Sequence, residues 1–443
     1  MENQEKKSMG RRKFMKTSGL AAGGIVLAPS MLSAKAHIDG DDTIRIGLIG
    51  CGGRGTGAAI QALSSGQNVK LVAMADAFRD RLEDSYGRIK NELADREMKA
   101  EMLDVPAEHK FDGFDGYKKV IPLCDVLVIA TPPGFRPIHF EAAVEANKHV
   151  FMEKPVAVDA PGVRRVLAAA EKAKQKKLNV VVGLQRHYQK VYTEWVDLLQ
   201  NGVIGDITTS YVYWNSGGVW VRDRKPGMTE MEYQMLNWYY FNWLCGDHIN
   251  EQHIHNIDVS NWVKQAYPVK ASGMGGRHVR TGKEHGEIFD HHFVEFEYAD
   301  GSRMVSQCRH WKGSSSKVTE EFQGTNGSAP KPGVILTNSG HTIMDYNDKK
   351  DLNPYQVEHN LLFEAVAKGE YKFADAENGA KSTMTAIFGR MATYSGQEIT
   401  WDEAINSDLD LSPKVYAWDA TPPVVPNEDG YYPMAIPGET RVI

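Results

Sequence analysis

Three glycines in a Gly-x-Gly-x-x-Gly pattern, Gly50, Gly52 and Gly55, directly follow the apolar run Ile44–Ile49. About twenty residues later, as a dinucleotide fingerprint requires, Asp76 closes the segment Val72-Ala73-Met74-Ala75. In such a turn the glycines have separate tasks: a tight bend, close backbone approach to a pyrophosphate, and close contact between strand and helix. Gly53 and Arg54, inside the same loop, join the expected nucleotide contacts. A helix expected from Gly57 to Leu63 would aim its first N–H groups at the phosphates. A carboxylate at Asp76 suits ribose hydroxyls and repels a 2′-phosphate, which favours NAD over NADP. Helix capping is the plainer reading of Asp76, and Arg79 and Arg81 keep NADP as the minor one.

A second group of chemistry-bearing residues is rich in imidazole: His248, His253 and His255, with His291 and His292 further on. The pattern invites a metal reading. On a helix, however, His-x-His directs its two side chains about 200° apart, because each residue turns the helix by about 100°. No metal ligand set is therefore assigned.

These residues need a scaffold. Apolar runs at Ile44 to Ile49, Val69 to Ala75, Val126 to Ala130 and Val150 to Met152 alternate with helical spacers. Continuous rather than alternating apolar strands belong to a parallel sheet covered on both faces, so residues 43–180 read as a doubly wound Rossmann domain. Further strand-like segments follow at Ile207 to Trp214, Val269 to Gly275, Phe289 to Tyr298 and Ser302 to Arg309, with a hairpin signal in Tyr298-Ala299-Asp300-Gly301-Ser302. They place a second α/β domain over residues 181–420, and a tail over 421–443.

Ahead of the first strand, Gly10-Arg11-Arg12-Lys13-Phe14-Met15-Lys16 opens an apolar stretch from Leu20 to Leu32 that closes on Ala34-Lys35-Ala36. This reads as a twin-arginine signal over residues 1–36, the export address of proteins that fold around a cofactor first, and it implies a periplasmic location. A Sec signal or an uncleaved anchor is the alternative. The stretch is well short of the roughly 20 apolar residues of a membrane span, and no later segment suggests a span in the mature protein. The net charge of −6 argues against nucleic acid or an anionic membrane as a partner. Cys51, Cys124, Cys245 and Cys308 are widely spaced, without a Cys-x-x-Cys pair, and are expected to be free thiols.

The fingerprint, the Ala130-Thr131-Pro132-Pro133 turn followed by His139, and above all Glu153-Lys154-Pro155 resemble the Gfo/Idh/MocA family of sugar and polyol oxidoreductases. Phe322-Gln323-Gly324-Thr325-Asn326-Gly327 and the Asn353-Pro354-Tyr355 region extend the likeness over most of the chain. The resemblance implies a Rossmann domain followed by an α/β domain whose open, largely antiparallel sheet covers the nicotinamide and often forms a homo-oligomer interface, in a dimer or tetramer. It adds Thr131, Pro132, His139, Glu153 and Lys154 to the expected NAD contacts.

The same resemblance makes Lys154 the residue that fixes the reacting hydroxyl. Aligning Ile257-Asp258 with the family pattern places His255 at the family histidine and Glu251 where an Asp is usual. His255 is then the candidate general base, with Glu251, four residues earlier on one helix face, orienting or tuning it. Arg186, His187 and Tyr188, after a strand at Val180 to Leu184, are candidates for sugar hydroxyls, with pairing to buried carboxylates as the alternative. Trp243, in the run Trp238-Tyr239-Tyr240-Phe241-Asn242-Trp243, for which core or interface packing is the commoner role, and His248 complete the candidate substrate contacts.

The function expected is oxidation of a secondary hydroxyl on a sugar or glycoside by tightly retained NAD. The alternatives are a redox-neutral NAD-dependent glycoside hydrolase and, further off, a non-catalytic NAD-bound sugar-binding protein.

Overall fold

The computed structural model describes residues 42–347 and 349–443. The twin-arginine segment with Arg11 and Arg12 lies outside the described residues. Six parallel strands build the first sheet: β1 (Ile44–Ile49), β2 (Val69–Asp76), β3 (Lys110–Asp112), β4 (Val126–Ile129), β5 (His149–Met152) and β6 (Val180–Val182). Their order is β3-β2-β1-β4-β5-β6. The strand order reverses between β1 and β4, and a crevice opens outside the strand ends at such a switch point. All four residues of β4 and all three of β6 are buried, which is why these runs are apolar without alternation.

The second sheet has nine strands, in the order β14-β13-β12-β11-β7-β10-β9-β8-β15. They are β7 (Ile207–Ser216), β8 (Lys270–Gly276), β9 (His291–Glu297), β10 (Arg303–His310), β11 (Lys317–Gly324), β12 (Gly327–Lys331), β13 (Val334–Thr337), β14 (Thr342–Asp345) and β15 (Ile399–Thr400). Only the β7–β10 pairing is parallel. The β9–β10 hairpin closes at Asp300-Gly301, where Gly301 has φ +83°.

Burial alternates along β10, with Met304, Ser306, Cys308 and His310 inward, because the helices Ile254–Lys264 and Ala376–Ser395 cover one face only. The helix Pro354–Ala367, far along the sequence, returns to pack on Gly53–Leu63 beside the glycine loop. The four cysteines are buried and unbridged. Among the described residues no helix is long and apolar enough to cross a membrane.

Candidate active site

The glycine loop lies at the switch point, at the floor of a cavity of about 850 Å³. Its helix begins at Gly53, inside the fingerprint, rather than at Gly57 as the sequence suggests, so the phosphate-facing N–H groups belong to the loop itself. A Cβ on Gly55 would stand 1.8 Å from the Gly50 carbonyl oxygen, and one on Gly50, at φ +96°, would stand 2.6 Å from the backbone at Ala130 and Thr131. Gly52 and Gly53 have nothing within 4 Å of that position, so bare backbone faces the cavity. That cradle fits a pyrophosphate.

Asp76 lines the cavity while its carboxylate also braces the loop, accepting from Cys51 N at 2.7 Å and Phe78 N at 2.9 Å. Burial raises its pKa, and these two hydrogen bonds oppose the rise. The ribose and local-turn readings therefore apply to one side chain, since each carboxylate oxygen has a second lone pair.

Arg54 turns back across the loop, donating to Glu153 Oε1 at 2.5 Å and Gln61 Oε1 at 2.9 Å. Its guanidinium lies 4.8 Å from the Tyr355 ring centre. Every residue expected to bind the nucleotide, from Gly50, Gly52, Gly53, Arg54 and Gly55 through Asp76, Thr131, Pro132 and His139 to Glu153 and Lys154, lines this one cavity.

Lys154 stands just past the end of β5, and Glu251 and His255 reach the same cavity from the second domain. Lys154 Nζ donates to the Glu251 carbonyl oxygen at 2.6 Å and to Glu251 Oε1 at 3.2 Å. His255 packs parallel to Trp214 of β7, with ring centres 5.9 Å apart. Burial first, then the charges of Lys154 and Arg186, hold its pKa well below the ordinary range, so at neutral pH it is an uncharged imidazole able to accept a proton.

One expectation changes here. Glu251 ends the short helix His248–Glu251 and His255 lies in the next helix, Ile254–Lys264, so the two do not share one helix face. Glu251 pairs with Lys154 rather than orienting His255.

The five expected substrate contacts are not in the cavity lining. Arg186 is buried against Glu320, His187 Nε2 meets Asp258 Oδ2 at 2.7 Å, and Tyr188 donates to Asp375 at 2.5 Å. Trp243 lies in an aromatic core cluster and donates to Gln234 Oε1 at 2.7 Å. His248 has no exposure. Distant carboxylates claim the polar side chains, because a buried charge without a partner is costly.

In their place stand Trp220, Arg222, Met235 and Trp238, from the segment between β7 and the histidine-rich turn, with Tyr355 from the returning helix. Trp238 belongs to the aromatic run identified in the sequence, so its density was a signal. Trp220 and Arg222 sit in an irregular loop with no periodicity to mark them. The C-terminal segment braces this roof: Trp418 packs on Phe78 and Phe114 with ring centres 5.1 and 4.6 Å away. Its carbonyl accepts from Thr229 Oγ1 at 2.6 Å, and the Val424 carbonyl from Gln234 Nε2 at 2.7 Å.

His139 gives the site a pH signature. Burial, with Arg136 and Arg165 nearby, pushes its pKa down to about 3, and its Nδ1 lies 3.2 Å from Thr131 Oγ1. Below pH 6.5 the unfolded chain binds a proton that folded His139 refuses, so stability falls as pH falls. Between pH 6.5 and 5 this group removes about 2 kcal/mol. By urea unfolding, wild type should lose about that much more stability between pH 6.5 and 5 than His139→Gln does, and equal losses would remove His139 from this role.

Residues 44–182 match the model of the Gfo/Idh/MocA oxidoreductase family, described as an oxidoreductase family with an NAD-binding Rossmann fold. The match spans the first domain. Inositol 2-dehydrogenase of Serratia proteamaculans is 26% identical over 370 residues, 80% of this chain and 95% of the relative. The enzyme of that name from Cereibacter sphaeroides is 27% identical over 355 residues, 78% and 92% of the two chains.

Among solved structures, scyllo-inositol dehydrogenase from Lactobacillus casei with NAD(H) and scyllo-inositol superposes with a TM-score of 0.60 at 18% identity, over 81% of this chain and 99% of that one. Aldose-aldose oxidoreductase from Caulobacter crescentus gives 0.61 at 16% identity, over 81% and 99%. The cofactor is NAD, and the loop and Asp76 line the cavity into which it would fit.

Proposed function

We propose that this Gfo/Idh/MocA protein is a periplasmic dehydrogenase that oxidises one secondary hydroxyl of a cyclic polyol or sugar with an NAD it retains. The observation that carries the reading is the convergence of Lys154, Glu251 and His255 from two domains on the cavity floored by the glycine loop. Bound NAD supplies the acceptor for the hydride. The chain must hold the hydroxyl oxygen and take its proton. The Lys154 ammonium, held by Glu251, offers a donor to that oxygen, and neutral His255 accepts the proton.

The inositol 2-dehydrogenases among the relatives favour a ring bearing several hydroxyls. Trp220 and Trp238 at the roof supply flat apolar surface for a ring face. Retention is supported by the brace of Trp418 and Val424 on the roof, and export by the paired Arg11-Arg12. The open face of the second sheet, where Met274 and Phe293 are 71% and 37% exposed, supports a homo-oligomer.

The test is to purify the exported protein without added nucleotide, release and identify what it holds, and follow reduced-nicotinamide absorbance as inositols, aldoses and glycosides are added. Copurified NAD that is reduced by a polyol or sugar is the expected result. An apo protein with no better than millimolar affinity for NAD would overturn retention. Glycoside cleavage without net reduction would overturn the dehydrogenase reading.

A further inference from the structure

Behind the cavity wall, and not themselves lining it, Asp247, His248 and His292 bring one donor atom each to within 4.8 Å of one another, all buried. Asp247 precedes the helix His248–Glu251, and His292 lies on the inward face of β9. His292 Nε2 is 3.3 Å from Asp247 Oδ2, and His248 Nε2 is 3.9 Å from Asp247 Oδ1.

Both ring nitrogens of His248 have no hydrogen-bond partner, and the Nε2 of His292 faces only the Asp247 carboxylate, at 3.3 Å. A buried imidazole ordinarily finds one. The Asp247 carboxylate accepts from His248 N, Phe289 N and Tyr394 Oη, all neutral donors. Among the described residues no lysine or arginine forms an ion pair with it, and its only ion-pair neighbours are these same two histidines.

We infer that Asp247, His248 and His292 bind a first-row divalent cation of the Zn²⁺ class. Two imidazoles and one carboxylate suit such an ion. Ligand atoms about 2.0–2.1 Å from a tetrahedral metal lie about 3.3 Å from each other. The His292–Asp247 separation matches, and His248, 3.9 Å from the carboxylate, would have to move inward on the ion. Thr393 Oγ1, 2.9 Å from His292 Nδ1, is the outer partner that fixes the ring of a metal-bound histidine.

His253 and His310 are not part of this set, because their Nε2 atoms meet Ser306 and Gln252. The site is closed and positions the turn. The Asp247 carbonyl accepts from Asn250 and Glu251 N–H, so an ion here would set the place of Glu251, the partner of Lys154.

The experiment uses the full exported protein, dialysed against metal-free buffer, incubated with Zn²⁺, freed of excess and analysed by elemental mass spectrometry. One equivalent per chain is expected. Co²⁺ in place of Zn²⁺ should give visible ligand-field bands of nitrogen and oxygen coordination. His292→Ala and the milder His248→Gln should lower stoichiometry to a tenth or less while NAD content is kept.

A folded wild-type chain holding less than a tenth of an equivalent would overturn the proposal, as would folded variants with unchanged stoichiometry and Co²⁺ spectrum. If neither variant folds, the wild-type stoichiometry and Co²⁺ bands decide, and a Co²⁺ complex without imidazole coordination counts against it. Zn²⁺ content is read independently of turnover, so failure of the dehydrogenase reading leaves this result standing.

Discussion

Lys154→Ala should slow substrate-dependent reduction of bound NAD by about 10²-fold to 10⁴-fold, the range for a positioned proton-handling group, while the fold and nucleotide content persist. Lys154 donates at 2.6 and 3.2 Å to two oxygens of Glu251 at the domain junction. The alanine therefore removes the one ammonium beside the candidate base and leaves the Glu251 carboxylate without its partner. Single-turnover absorbance after mixing with substrate reads the step directly. Rapid reduction with the pH profile unchanged would show that neither the hydroxyl oxygen nor His255 depends on this charge. Lys154→Arg should recover little, because a planar guanidinium does not reproduce a compact ammonium.

Gly55→Ala should yield protein without nucleotide and lower stability by about 3 kcal/mol or more, among the larger single-site effects. The added methyl would stand 1.8 Å from the Gly50 carbonyl oxygen. Gly50 cannot retreat, since it is packed against Ala130 and Thr131 at a positive φ. The helix must separate from β1, and the cradle opens.

Gly53→Ala is the control, because its methyl meets nothing within 4 Å. It should leave stability near that of wild type and weaken NAD binding only through the space it takes in the cavity. Calorimetric melting together with nucleotide content after purification distinguishes the two. Equal behaviour of both variants would mean that the loop tolerates separation, against the close packing seen here.

The nucleotide half of the site was readable in the sequence because its determinants are local. The glycines act through backbone conformation, the strands through continuous apolar runs, and Glu153-Lys154 through a place immediately after β5. The residue pattern predicts a helix start at Gly57 where the helix begins at Gly53, because glycines carry little helical signal of their own even where the turn binds them into the first helical residues.

For polar residues with partners far along the chain the sequence leaves two readings open, sugar contact or carboxylate pairing, and names no partner. Arg186, His187 and Tyr188 have the composition of a sugar site, yet Glu320, Asp258 and Asp375 hold them outside the cavity lining. Trp238 and Trp243 belong to one aromatic run, and packing sends the first to the cavity and the second to the core. The i,i+4 spacing of Glu251 and His255 suggested one helix face, until the break at Gln252-His253 separated them.

The doubly wound sheet and the glycine loop are legible in the residues alone. These rest on neighbours along the chain and on the free energy of burying apolar runs. The packing of distant segments pairs Glu251 with Lys154, depresses the His255 pKa through burial, and selects the polar side chains that face the cavity. Those outcomes depend on which charges meet across hundreds of residues at low dielectric, where a partner's distance sets the protonation state.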